Sequence, residues 1–432
     1  MLPLFPRHHA RQTVYADAQR SLDRAAFLGA AQALAQRLPA QNHCLNLCDD
    51  RLFFMLGFCA ALLRGQCTLL PASRTESSLA DIARRHPHIT ALCDGPQSLA
   101  GVAYLHLDAS FLDAPPQRAD GGIPPATPAA ELYTSGSTGA PQAHRKTWDM
   151  LVQGAQQLAA GLNPDGALLG SVPSQHMFGL ESTILLPMQS GLALAGGCPL
   201  LPQDIQSALQ CLTSPSWWAT TPMHLRACVQ SGLAFPRLAG IICATQTLSP
   251  DLARAAEACF QATLHDIYGC TEAGVIGLRR PAQSAVWRLL PDWEMSRRAE
   301  HTWISGKRSA QALCLPDHVE PLSDGRFLLH GRHASLIKVG GKRMHLDALN
   351  RILLSMPGVL DGVFIQPVES GRLTAFVVAT EPNPTALLAA LRKQIDPVFL
   401  PRPIHWVSSL PRNAMGKLPL HALQQLLDQA SS

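Results

Sequence analysis

The stretch Glu131-Leu132-Tyr133-Thr134-Ser135-Gly136-Ser137-Thr138-Gly139-Ala140-Pro141-Gln142 sets four hydroxyl side chains and two glycines within residues 134–139, directly after a short strand-like run. Glycine lets the main chain approach a ligand closely, and hydroxyls add donors, so the loop can present a dense donor array to an oxyanion cluster. Such a loop suits a polyphosphate; an ordinary polar turn ahead of a helix is the plainer alternative. The stretch is not a Walker loop, which closes on Gly-Lys-Ser/Thr, because Gly139 is followed by Ala140-Pro141.

Around this loop, from about residue 27 to 272, helix-like segments alternate with short apolar runs, the pattern of parallel sheets covered by helices. Helices are expected over 27–38, 51–65, 77–86, 144–162, 202–212 and 249–260, and strands over 43–48, 67–71, 89–94, 167–172, 216–221, 239–244 and 263–268. The stretch 108–128, with Pro115-Pro116, Gly121-Gly122 and Pro124-Pro125, reads as a surface connection into the hydroxyl loop. After Glu272 the texture changes to short strands over 284–290, 302–305, 311–315 and 326–330. A compact α+β unit follows a boundary near Arg332-His333: a strand and turn at 336–341, a helix over 345–356, a hairpin of 359–367 with 372–379, a helix over 384–395, a strand at 403–408 and a last helix from about 418. The expected fold class is therefore α/β: a large N-terminal domain of layered sheets with a β-rich subdomain (1–332), and a small mobile α+β C-terminal domain (333–432).

The chain has 432 residues, 47% hydrophobic and 15% charged, enough for one large and one small core. A formal net charge of +4, with no run of Lys or Arg longer than two, argues against a nucleic-acid partner. Twelve cysteines occur without a Cys-x-x-Cys pair and read as reduced core residues of a cytoplasmic protein. The N-terminal residues lack the basic-then-apolar order of a secretory signal. The longest apolar run, Leu52 to Leu63, is far shorter than the ~20 residues that span a membrane and reads as a buried helix.

Tyr268-Gly269-Cys270-Thr271-Glu272 ends an expected strand, where open α/β sheets place ligands. A carboxylate beside a threonine there can hold a hard cation that bridges phosphate oxygens. Together with the hydroxyl loop, this combination resembles the adenylate-forming superfamily of acyl-CoA synthetases, aryl-CoA ligases and peptide-synthetase adenylation domains, over nearly the whole chain. Tyr133 to Gln142 is similar to that family's phosphate loop, Pro173 to Gly179 to its acyl-pocket segment, and Cys243 to Leu248 to its adenine-flanking strand end. Asp266 to Glu272 resembles the adenine and magnesium segment, Asp317 the ribose-binding aspartate, Gly331-Arg332 the arginine before the hinge, and Leu410 to Lys417 the C-terminal lysine loop.

The resemblance implies a two-step reaction at one site. A substrate carboxylate attacks the α-phosphate of MgATP and pyrophosphate leaves; a thiol then attacks the acyl-adenylate and expels AMP. In that scheme Thr134, Ser135, Gly136, Ser137, Thr138 and Gly139 hold the β- and γ-phosphates. Thr271 lies near the α-phosphate and Glu272 on magnesium. Gln246, Asp266 and Tyr268 belong to the adenine side, Asp317 and Arg332 to the ribose. Lys417 carries an ammonium to the carboxylate and α-phosphate, and His176 gates the acyl pocket. The acceptor is CoA or the phosphopantetheine arm of a holo acyl carrier protein, with Arg145, Lys146, Lys342 and Arg343 as candidates to meet its phosphates.

Four positions depart from the family pattern: Gln142 where the loop usually ends in lysine, Ala334 at the hinge, Leu420 three residues after Lys417, and Thr245 in place of a glycine. Amino-acid-activating members place an aspartate after the phenylalanine of the pocket segment; here Phe178 is followed by Gly179. Burying an unpaired ammonium is costly, so an acid without an α-amine is favoured. His176, Met177, Phe178, Trp217, Thr220, Gly269, Val275 and Ile276 are the expected lining. They suit an aryl acid such as a hydroxybenzoate, with a medium-chain fatty acid as the alternative. A non-catalytic nucleotide-binding relative is the reading of another class.

Overall fold

A computed structural model describes the chain except residues 7–10, 97–98, 136–140, 213–214, 333–334, 340, 368–372, 414–415, 417, 419 and 432, and the side chains of 135, 141, 310, 420, 421 and 431. Among the described residues two large sheets form. The first runs in the order Ala103–His106, Thr90–Cys93, His43–Asn46, Cys67–Leu70, Pro128–Ser135 and Pro141–Thr147, parallel up to its antiparallel last strand. The second has eleven strands around a parallel centre of Ala193–Ala195, Ala167–Gly170, Ser216–Thr220, Gly240–Cys243 and Thr263–Cys270. Parallel strands need crossover helices, which supply the apolar layer between and outside the sheets.

The helix Arg51–Leu63 is apolar on every side after its first residue, so it is buried rather than laid on a surface. The Asp50 carboxylate caps it, accepting from the amides of Leu52 (2.8 Å) and Phe53 (3.2 Å). With the helices Arg24–Arg37 and Trp148–Leu162 it fills one apolar core through Phe27, Leu28, Phe54, Phe58, Trp148 and Leu151. The antiparallel strands Gly274–Arg279, Trp287–Leu289, Arg326–Arg332 and Asp317–Pro321 extend the eleven-stranded sheet at one edge. Beyond them a small unit has its own core of Ile337, Leu349, Leu353, Phe364, Val377 and Leu391 under the sheet Val359–Ile365, Thr374–Ala379 and Ile404–Trp406. The fold is α/β, as the alternating pattern predicts.

Three local features differ from the sequence reading. The helix expected from 144 begins only at Trp148, because 144–147 continue the hairpin with Pro128–Ser135 and Thr147 then caps the helix, its Oγ1 accepting from the amide of Met150 at 3.4 Å. The helix Pro222–Gln230 was not foreseen. The acyl-pocket segment is helical through Met177–Gly179 and then widens over Leu180–Leu185, where the amide of Leu186 reaches the carbonyl of Glu181. Such wide turns recur at functional sites.

Candidate active site

The parallel strands Gly240–Cys243 and Thr263–Cys270 end side by side, and the hairpin from the other sheet meets them there. Gly136, Ser137, Thr138 and Gly139 lie outside the described residues, as does the side chain of Ser135, so the loop is seen through its flanks. Thr134 Oγ1 is 3.1 Å from His144 Nε2, and that nitrogen is 3.7 Å from Glu272 Oε1. Hydroxyl, imidazole and carboxylate thus converge at the mouth of the hydroxyl loop. Burial holds the His144 pKa below the usual histidine range. The Glu272 side chain is 45% exposed, and Thr271 beside it is half-buried. One accessible carboxylate fits magnesium that takes its other ligands from phosphate oxygens and water. No cluster of three or more His, Cys, Asp or Glu suited to hold a metal by itself occurs among the described residues.

The main chain behind Glu272 is held by buried charges. Lys146 donates from Nζ to the Glu272 carbonyl. Arg308 donates from Nη2 to the Val275 carbonyl (2.6 Å) and from Nη1 to the Ala273 carbonyl (3.5 Å), and Glu181 Oε1 accepts from the Val275 amide at 3.3 Å. Asp292 pairs with Arg308 through both oxygens. Lys146, Glu181 and Arg308 are all at most 4% exposed. Burial pushes the Glu181 carboxyl up to about 7, against the pull of Arg308 and Lys146, and lowers the Lys146 pKa. Gly274 has a φ of +74°, and a Cβ there would stand 2.4 Å from Glu181 Oε1, so glycine is required.

On the nucleoside side, Tyr268, Asp317 and Arg332 come together. Tyr268 donates its hydroxyl to Asp317 Oδ2 at 2.8 Å, and Arg332 Nε lies 3.9 Å from Asp317 Oδ1 across a strand pair. Burial and the neighbouring Asp317 raise the Tyr268 pKa well above the usual tyrosine range. Asp266 departs from its expected role. It is 3% exposed, and its Oδ2 accepts from Arg279 Nε (2.9 Å) and Nη2 (2.7 Å), because the antiparallel register sets the two residues opposite each other. Burial lifts its carboxyl to about 6 despite that pair. Gln246 turns outward and donates to the Gly416 carbonyl, which Arg412 also engages at 2.8 Å. Thr245 carries a φ of +85°, a left-handed conformation costly for a β-branched residue. Lys417 and Ala334 lie outside the described residues, as does the side chain of Leu420.

On the acyl side, His176 caps the turn Met177–Gly179. Arg51 is buried and spans the segment, donating to the carbonyls of Gly170 (3.1 Å) and Val172 (3.0 Å), to Ser174 Oγ (3.0 Å) and to Thr183 Oγ1. Phe178, Val275 and Ile276 share an apolar cluster. Trp217 belongs to the same cluster, but sits deeper along its strand. It pairs with Gly240, the first residue of its strand, and its ring lies over that glycine, three residues back from Thr220. That sets it about 10 Å from the strand ends. Of the four candidates to meet the acceptor's phosphates, Arg343 is exposed, and the other three are engaged within the fold. Arg145 is exposed but paired with Glu131, Lys342 pairs with Asp396, and Lys146 is buried, since successive residues of a strand face opposite ways. The network of Lys146, Glu181, Arg308 and Arg51 escaped the sequence reading of roles. Its one local signal is charge inside otherwise apolar segments.

A family model described as AMP-binding enzyme matches residues 33–297. The 4-coumarate–CoA ligase of Rhodobacter capsulatus is 31% identical over 304 residues, covering 67% of this chain and 75% of that enzyme. A benzoate CoA ligase from Burkholderia xenovorans shares the fold with a TM-score of 0.82 at 17% identity, covering 96% of this chain and 97% of its own. ATP-bound MatB from Rhodopseudomonas palustris does so with a TM-score of 0.83 at 17% identity, covering 99% and 98%. With the family model spanning more than half of its length, and with Thr134 and Glu272 both beside His144, the chain belongs to the family of AMP-binding enzymes.

Proposed function

We propose that this chain uses ATP and magnesium to activate an aryl carboxylic acid as its acyl-adenylate, then transfers the acyl group to the thiol of CoA. The convergence of Thr134, His144 and Glu272 at the loop mouth, beside the Tyr268–Asp317–Arg332 set, carries this reading. It supports a nucleotide lying with its phosphates toward residues 134–139 and its ribose toward Asp317, where two carboxylate oxygens can accept from hydroxyls. Glu272 would hold magnesium, which would supply charge neutralisation for the phosphates; Thr271 would lie next to the α-phosphate, and Lys417 would bring the ammonium that stabilises charge on the attacked phosphorus. Residues 1–332 form the unit that binds ATP and acid, and residues 333–432 the lid that carries Lys417.

An aryl acid is favoured on two grounds. The chain is 31% identical to a 4-coumarate–CoA ligase. At Gly179 a Cβ would lie 1.9 Å from the Pro173 carbonyl, so the counter-charge needed by an α-ammonium does not fit there. No helix among the described residues is long and apolar enough to cross a membrane, which accords with a cytoplasmic enzyme. The test is exchange of labelled pyrophosphate into ATP across a panel of aryl, fatty and amino acids, followed by acyl transfer to CoA and to holo acyl carrier protein. Exchange is expected with aryl acids and transfer with CoA. Fatty-acid exchange would move the substrate class, transfer to the carrier protein alone would move the acceptor, and no exchange with any acid would leave a nucleotide-binding protein.

A further inference from the structure

The turn 271–273 joins Thr263–Cys270 to Gly274–Arg279, and the main chain from Glu272 in this turn to Val275 in the second strand is gripped by charged side chains from three other parts of the fold. Lys146 comes from the hairpin that carries the hydroxyl loop, Glu181 from the wide-turn helix of the acyl-pocket segment, and Arg308 from between the strands His301–Gly306 and Ser309–Cys314. Three carbonyls and one amide of this stretch, at Glu272, Ala273 and Val275, are bonded to these groups. Ordinary turns satisfy such groups with water or with neighbouring main chain. Here each bond is to a group at most 4% exposed. Burying these charges is expensive unless they are paired, and Asp292 and Glu181 supply the opposite charge.

Charge-assisted bonds in a low dielectric are strong and directional, so the turn has little freedom to rotate. Its middle residue is Glu272, half exposed at the proposed phosphate mouth. We propose that Lys146 is a positioning residue for the magnesium-binding turn, fixing the main chain of Glu272 so that its carboxylate meets the cation bound to the phosphates of ATP. The inference rests on the ligase reading for the identity of the cation. Lys146 also lies on the same strand face as Gln142, four residues on, so the hairpin that presents a neutral glutamine at the loop keeps an ammonium underneath it. The hairpin that carries the hydroxyl loop is thus joined to this turn through Lys146 at the main chain and through His144 at the Glu272 carboxylate.

The test uses the full-length chain as wild type, Lys146→Met and Lys146→Arg. ATP binding is measured by calorimetry without acid, at rising magnesium concentration, and amide hydrogen exchange is followed over 268–278. Loss of an outer partner of a metal ligand weakens metal affinity by about 10–100-fold. Lys146→Met is therefore expected to need about tenfold more magnesium to reach the same ATP affinity and to exchange the 272–276 amides faster. Its KM for the acid should stay near wild type, and Lys146→Arg should regain most of the magnesium response. A Lys146→Met protein with the wild-type magnesium dependence and unchanged exchange would overturn the proposal. If that variant does not fold, Lys146→Gln, which keeps a donor without the charge, carries the same comparison. Acid-dependent pyrophosphate exchange of the wild type is run beside it: its absence defeats the ligase reading, whereas its presence with an unaltered magnesium response defeats only the role of Lys146.

Discussion

The turn proposed to hold magnesium and the set proposed to hold ribose, two ends of one proposed nucleotide site, are held by opposite means. Behind Glu272 the main chain is bonded to buried charged groups, and Gly274 leaves no room for a side chain. At the other end Tyr268 and Asp317 share one hydrogen bond, while Arg332, whose side chain is 65% exposed, stands 3.9 Å from Asp317. Its amide and carbonyl are tied instead to Asp347 (3.2 Å) and to Ser335 (2.9 Å), on the C-terminal side. The contrast separates two needs of a two-step enzyme. Charge developing on phosphorus is best met by groups that do not reorganise, whereas, with residues 333–432 as the proposed lid, the segment beside them must change partners at low cost.

Breaking the rigid end should have the largest effect. Arg308→Met strands Asp292 and Glu181 in the interior and frees the carbonyls of Ala273 and Val275. Loss of one partner from a buried ion pair destabilises by about 3–5 kcal/mol, to be read from urea denaturation. A loss below about 1 kcal/mol, the level of surface pairs, would erase the contrast. The lid end is probed by Lys417→Ala. Removing a preorganised charge-stabilising donor costs about 3–4 kcal/mol, or roughly 10²–10³ in rate, and the cost should fall on pyrophosphate exchange. Transfer of acyl from a supplied acyl-adenylate to CoA should persist. Equal loss of both half-reactions would count against a lysine that serves one step only.

A third effect is smaller and depends on pH. Burial holds the Glu181 carboxyl at about 7 instead of its ordinary 4.5. The folded protein then keeps a proton that the unfolded chain has released, so stability from this group is complete below 4.5 and is lost as pH rises toward 7. Glu181→Gln removes that dependence. The stability of wild type relative to Glu181→Gln should fall between those pH values by on the order of 2–3 kcal/mol and be level outside them. A flat difference would mean that Arg308 and Lys146 keep the carboxylate ionised throughout.

The two ends also differ in how far residues alone disclosed them. Thr134 and Glu272 were proposed from residue type and spacing, as hydroxyls before glycine and a carboxylate past a strand end, whereas Asp317 was proposed only through the family resemblance; the structure brings Thr134 and Glu272 together through His144. Lys146 was legible only as a cation: its bond to the Glu272 carbonyl joins positions 126 residues apart, and nothing local tells a buried ammonium from a solvated one. The depth of Trp217 was hidden for a related reason. Whether a strand residue lies at the ligand end depends on pairing register, which is set by the neighbours and not by the strand itself. The helix begun too early at 144 is a boundary error, since His144-Arg145-Lys146 has no strand signal apart from its partner Pro128–Ser135.

The smallest effect tests whether the ribose end is as loosely built as its geometry implies. Tyr268→Phe removes the 2.8 Å bond to Asp317 Oδ2 and leaves the ring, which packs against Trp287 (5.8 Å) and Phe327 (5.7 Å), in place. The tyrosine hydroxyl is buried and Asp317 is only half-buried, so the carboxylate can take water in exchange. A bond to a charged acceptor then contributes about 1–1.5 kcal/mol, which predicts a modest fall in thermal stability. Freed from the phenol, Asp317 can turn both oxygens to ribose hydroxyls, so the KM for ATP should change by less than about fivefold. Acid KM should not move at all. A rise in the KM for ATP of about a hundredfold, some 2.7 kcal/mol, would instead show that the phenol fixes Asp317 as firmly as Lys146 fixes Glu272, and that both ends of the site are built rigid.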